Sequence, residues 1–151
     1  MPFVMPSRGA IEVLGRLIGD TYGSGDTLVL RLFKNGIVPA KGDSIPRFTP
    51  ANGAGYAPIR LGSTVATAWT LSYINPGVGD TAQAVCAQQT FTFSAADSIA
   101  GYYITAFSRR NVYRLAQGDT VVIAAEKFGD GPYIIPGGGG TIKVTPRINA
   151  L

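Results

Sequence analysis

The sequence contains no histidine, a single cysteine (Cys86) and few charges, its 13 basic and 9 acidic side chains making up 15% of 151 residues. About 25% is usual for a soluble domain. Each shortage closes off a kind of chemistry. Without imidazole there is no Ser-His-Asp or Cys-His nucleophile pair, no histidine metal site and no histidine pH switch. One thiol forbids an intramolecular disulfide and any multi-thiolate zinc or iron–sulfur site. Long hydrophobic runs are missing too. The longest, Val121–Ala125, is about five residues, where a membrane helix needs about 20. The opening MPFVMPSRGAIEVLGRL does not read as a signal peptide, because Pro2 and Pro6 break its apolar residues and Arg16 interrupts the next run. These features predict synthesis in a cytoplasm, no membrane partner, no cofactor and no metal.

What the chain does have is 20 glycines, 10 prolines and 46% hydrophobic residues. Low charge with many apolar residues is the opposite of the disorder signature. A Gly/Pro-rich, weakly charged chain of this size reads as one compact all-β domain, long enough to bury roughly 68–70% of its unfolded surface. The mean hydropathy is positive, at +0.19. Either the small residues inflate it, or apolar surface is covered by a partner, as in obligate assemblies.

The net charge of +4 is localised. Arg31, Lys34, Lys41, Arg47 and Arg60 stand against Asp43 alone within residues 31–60, and the rest of the chain is neutral. A nucleic-acid footprint needs denser basic clustering interleaved with aromatics, so the stretch is read as facing an acidic protein surface or as simply solvated. Arg109 and Arg110, with Tyr113 and Arg114, form a second basic-aromatic group. It is either a solvated hairpin end or a contact with an acidic partner.

Along the chain, residues 1–6 read as an extended arm, with two prolines and no pairing pattern. Residues 7–151 read as one domain. Ile11, Leu14, Leu17 and Ile18 fall on one helical face, with Ser7 or Gly9 available as N-cap and Gly19 as C-cap. This predicts a short helix over about 9–18. From there the period becomes two. Thr27–Lys34 places Leu28, Leu30 and Leu32 on one face and Val29, Arg31 and Phe33 on the other, and Asn35-Gly36 ends it. Residues 35–53, with three prolines, form a long loop. Strands follow over Tyr56–Leu61 and Thr64–Ile74, the latter carrying Trp69 as a core anchor. Next comes one strand with Val85, Ala87, Gln89, Phe91 and Phe93 on the core face and Cys86 opposite. Ile99–Phe107 is apolar on both faces and reads as a central strand. Asn111–Leu115 is short and basic-aromatic, the Gln117–Asp119 turn leads into Thr120–Phe128, and Thr141–Ile148 closes the chain. Pro146 lacks an amide donor, so that last strand lies at an edge or ends there. Short strands punctuated by turn residues predict a β-sandwich or jelly-roll-like fold.

Chemistry-bearing clusters are thin. Glu126, Asp130 and Asp119 are the acids nearest to one another, and two of them sit in Gly-flanked turns where Asp is common for local hydrogen bonding. The Phe128–Pro132 and Gly137–Gly140 stretches are not phosphate loops, since no Lys-Ser/Thr on a helix follows them. The expectation is a protein that is not an enzyme.

The segments SRGAIEVLGRLIG, TLVLRLFKNGIVP, GYAPIRL, QQTFTF, AGYYITAF and IAAEKFGDGPYIIPGGGGTIKVTPRI, in this order, resemble small structural proteins of tailed bacteriophages, especially capsid decoration (cement) proteins. The resemblance implies a virion role on the outer surface of the capsid. There a β-sandwich, often trimeric, binds the major capsid protein and bridges neighbouring subunits. A tail or fibre component of the same virion is the alternative. A carbohydrate-binding sandwich module, stacking a sugar on Trp69 or on the Tyr102/Tyr103 pair, is the alternative of another class.

Overall fold

The structure, a computed structural model, describes residues 7–19, 27–61, 68–74, 81–107 and 120–150. The expected N-terminal arm over residues 1–6, the expected break at 75–77, the basic-aromatic stretch 111–115 and the expected turn at 117–119 lie outside them. Helix α1 spans Ser7–Gly19. Eleven strands are found among the described residues. They are β1 (Thr27–Phe33), β2 (Ile59–Leu61), β3 (Trp69–Ile74), β4 (Thr81–Cys86), β5 (Gln89–Phe93) and β6 (Asp97–Ile99). The chain continues with β7 (Gly101–Phe107), β8 (Thr120–Lys127), β9 (Tyr133–Ile135), β10 (Gly140–Val144) and β11 (Arg147–Asn149). The all-β fold expected from the period-two pattern is present, with one short helix.

Sheet order is β2-β1-β7-β8, with two-stranded β10-β5 and β6-β9 and three-stranded β11-β4-β3. One core joins them. The Leu28, Leu30 and Leu32 face of β1 meets Ala82, Ala84 and Cys86 of β4, Phe91 and Phe93 of β5, Ile142 and Val144 of β10, and Ile148 of β11. The α1 stripe of Ala10, Leu14 and Ile18 closes the same core over β4 and β3. As expected for a strand apolar on both faces, β7 is central, with Tyr102, Tyr103, Ile104 and Thr105 all buried.

The structure corrects the sequence reading between residues 81 and 93. Instead of one strand there are two. β4 buries its even residues, Cys86 among them, and β5 buries its odd ones, Gln89, Phe91 and Phe93. Val85 and Ala87 are therefore not on the core face. The registers explain the switch: Val144 pairs with Gln89, and Arg147 pairs with Val85. Three residues, 86–88, thus oppose two, 145–146. The extra residue flips the side-chain phase at the corner where the ribbon passes from one sheet to another. Pro146 sits at that corner, in the break between β10 and β11 that divides the single strand expected over Thr141–Ile148, as its missing amide predicts.

Two other strands are shorter than expected. Tyr56–Leu61 narrows to β2, since Pro58 cannot donate to a ladder. Tyr56 stacks instead on Phe91 and Phe93 at 5.7 and 5.6 Å. Ile99–Phe107 divides at Ala100, whose N–H donates to the Phe33 carbonyl at 2.8 Å. In the glycine run, Gly139 has φ +87°, and a Cβ there would run into the Phe93 carbonyl oxygen. This position demands glycine for both reasons.

Trp69 is half-buried against the core, as expected of an anchor. Its indole N–H is buried without an acceptor among the described residues. W69F keeps most of the apolar contact and removes the orphaned donor. It should change stability by no more than about 1 kcal/mol, against about 3–5 for W69A, measured by urea unfolding.

Candidate functional site

The four-stranded sheet has two faces. One supplies the core. The other presents Val29, Arg31 and Phe33 of β1, Arg60 of β2, Tyr103 and Thr105 of β7, and Val122, Ala125 and Lys127 of β8, as the registers require. Phe33 and Tyr103 are apolar surface that a solvated face would not tolerate, and the proline-rich loop after β1 folds back to cover them. Phe48 of that loop stacks on Tyr103 with centroids 4.8 Å apart and meets Phe33 edge-on at 5.3 Å. Ile37, Ala100, Val122 and Ala125 complete this second, smaller core. The long loop is thus a structured cover over half of the sheet, which its prolines did not reveal.

The loop also sorts the basic residues. Lys34 is spent on the scaffold: its ammonium lies 2.7 Å from Asp97, whose carboxylate is fully buried, and donates to Asn52 Oδ1 at 2.9 Å. Asp97 further accepts the Gly53 N–H at 2.8 Å, the Ser98 N–H at 2.8 Å and the Asn52 N–H at 3.3 Å. Burial pushes the Asp97 carboxyl up, but the Lys34 ammonium and the three amides outweigh it and hold the group below its ordinary value. Arg47 is paired with Asp43 at 2.6 Å, and Asp43 also accepts the Ala40 N–H, closing the loop tip.

Arg31, Lys41 and Arg60 remain. Among the described residues, no carboxylate stands at ion-pair distance from any of them. Arg31 lies over buried Thr105, its Nε donating to Oγ1 at 3.4 Å. Beside it, burial raises the Tyr103 phenol and the guanidinium draws it back in part. Arg60 is exposed and across from Val29 on the same face. Lys41 is exposed at the loop tip, on the rim of a cleft of about 340 Å³ bounded by Pro39–Asp43, Phe48 and Val122–Ala125. Lys127 joins them, donating to the Gly36 carbonyl at 3.3 Å. It was not among the basic residues singled out in the sequence, because only the register brings it to this face. Arg109 and Arg110 lie outside the described residues.

Two of the three clustered acids are each bonded to a tyrosine. The Tyr102 hydroxyl donates to Glu126 at 2.7 Å, and the Tyr133 hydroxyl donates to Asp130 at 2.6 Å. Burial, and then Glu126, push the Tyr102 phenol far up. Asp119 lies outside the described residues. The sugar-stacking alternative loses one of its platforms, since Tyr102 and Tyr103 are only 3% and 2% exposed and offer no ring face. Cys86 is buried, which pushes its thiol up to about 11 and keeps it out of thiolate chemistry at neutral pH. Among the described residues no group of carboxylates and thiols is placed to hold a metal ion, and no helix is long and apolar enough to cross a membrane.

Comparison with family models, with curated proteins and with solved structures finds no match for this chain.

Proposed function

We propose that this protein is a non-enzymatic structural component of a tailed-phage virion, bound to the outside of the capsid. There its basic sheet face meets the acidic surface of the major capsid protein and stabilises contacts between neighbouring subunits. The observation that carries the reading is the sorting of charge. Lys34 and Arg47 have carboxylate partners within the chain, while Arg31, Lys41, Arg60 and Lys127 gather on one side of the four-stranded sheet without one among the described residues. Such a face raises the association rate and fixes orientation on a surface of opposite charge. It is held by strands and by a loop that is itself packed, so little ordering cost falls on binding. The tyrosine bonds to Glu126 and Asp130 favour the non-enzymatic reading. The resemblance to cement proteins supplies the identity of the partner.

Attachment to purified shells lacking the protein tests this. Wild-type attachment should weaken as salt rises. The triple reversal R31E/K41E/R60E should weaken it by roughly a hundredfold at low salt, taking about 1 kcal/mol per charge. Unchanged attachment of the triple variant at low salt would remove the electrostatic face from the account. Electron microscopy of the intact particle tests the location. Hundreds of copies over the shell fit a decoration protein, whereas a few copies on the tail fit the tail or fibre alternative.

A further inference from the structure

Strand β8 ends the four-stranded sheet, hydrogen-bonded to β7 on one side and to no strand on the other among the described residues. Its residues 121–125, VVIAA, form the longest apolar run in the chain and carry no charge, glycine or proline. All five are partly exposed. Natural sheets blunt such edges with lysine, proline or shortness, because an open row of amides and carbonyls recruits another strand. Among the described residues only a bulge at Ile123 intervenes, and a cleft flanks the edge on each face. One is the Lys41 cleft; the other, also about 340 Å³, lies between β8 and Arg147–Asn149.

The bulge identifies the occupant. It reverses the side-chain phase halfway along β8. Val121, Ala124 and Glu126 share the core-side face with Ala106, Ile104 and Tyr102, while Thr120, Val122, Ala125 and Lys127 share the outer one. When two copies of β8 are laid antiparallel about a twofold between Ile123 and Ala124, Val122 opposes the partner copy's alanine at 125. In the same register Val121 opposes glutamate 126 and Thr120 opposes lysine 127. Each of these three pairs then lies on a common face, on both sides of the bulge. A shift by one residue sets core-side residues against outer ones and loses the match. Charge agrees with this register. The only two charges of β8, Glu126 and Lys127, sit together at its end, so antiparallel pairing sets each against an uncharged residue. Parallel pairing would set like against like.

We infer that β8 pairs with β8 of a second copy of this chain across a twofold axis, joining two four-stranded sheets into one of eight. The contact is isologous, the same patch on both copies. It therefore closes at two, in contrast to the threefold association that the resemblance implies. The inference concerns the chain alone and does not depend on the capsid reading.

Sedimentation of the full chain over a wide concentration range tests it through Thr120, which is exposed and whose replacement leaves the core intact. Wild type should sediment as a dimer. T120K sets a second ammonium opposite Lys127, twice by symmetry, and should raise the dimer Kd roughly 3- to 10-fold. T120E should lower it by a similar factor, and T120K/K127E, which restores an opposite-charge pair, should bring it to the wild-type value or below. T141K, which adds the same charge to the exposed side of β10, should leave it unchanged. A chain that stays monomeric, a trimer, or a Kd that moves equally with T120K and T141K would overturn the pairing.

Discussion

Replacing Asp97 by alanine should cost the fold about 3 kcal/mol at neutral pH, lowering the melting temperature by roughly 10 °C for a chain of this size. The carboxylate is fully buried and accepts from the Lys34 ammonium and from the amides of Asn52, Gly53 and Ser98. Removing it strands donors on three separate segments: the end of β1, the return of the proline-rich loop, and β6. Lys34 keeps about a third of its side chain in water, so it rehydrates in part, which places the cost near the lower end of the range for breaking a buried pair. D97N, which retains one acceptor oxygen, should lose about half as much.

The same group sets an acid limit. Its carboxyl is held below its ordinary value in the folded chain, so the native state binds that proton less readily than the unfolded state. The stabilisation is whole above the unfolded value of about 4 and drains as pH falls through the folded value. Urea unfolding between neutral and strongly acidic pH should therefore show a decline below about pH 4 that is shallower in D97N. An unaltered acid slope in D97N would show that Asp97 does not carry it. Because Asp97 anchors the loop that presents Lys41, the variant should also loosen the basic face, linking the stability of the fold to the proposed attachment.

G101A should be nearly as damaging, at about 2–4 kcal/mol. A methyl group at this first residue of β7 would run into the Glu126 carbonyl oxygen and come within 2.6 Å of the Phe33 ring. The oxygen belongs to the backbone of neighbouring β8. The ring is fully buried between Phe48 and Tyr103. Neither moves without parting the β7–β8 ladder or displacing the loop cover. F33L/G101A should recover part of the loss, since it removes the ring and leaves the backbone clash; this coupling is readable in a double-mutant cycle. Full tolerance of G101A in thermal unfolding would mean that β7 and β8 pack less closely than described.

Both variants act where the basic face is built, and neither position stands out in the sequence. Asp97 lies in SAADSIA with no charged neighbour, 63 positions from Lys34. Gly101 resembles any other of the 20 glycines. The basic residues themselves were legible, as five cations against one acid in thirty positions. Their division into scaffold and surface was not. An ion pair such as Lys34–Asp97 depends on which segments the fold brings together, and period-two patterning carries no information about a partner so distant in the chain.

The sequence by itself determined the chemistry that is closed to this protein, since an absent imidazole and a lone thiol cannot be supplied by folding. It determined the α1 stripe, the leucine face of β1, the central character of β7 and the break between β10 and β11 at Pro146. Each of these follows from local periodicity or from a missing amide. The tertiary structure alone decided the phase reversal between β4 and β5 and the bulge in β8, because an extra residue is defined only against the strand it opposes. It alone turned the proline-rich loop into a cover over Phe33 and Tyr103, and it alone separated the cations paired inside the chain from those facing outward. A side chain's type is local, whereas its partner is set by the packing of segments far apart in the chain.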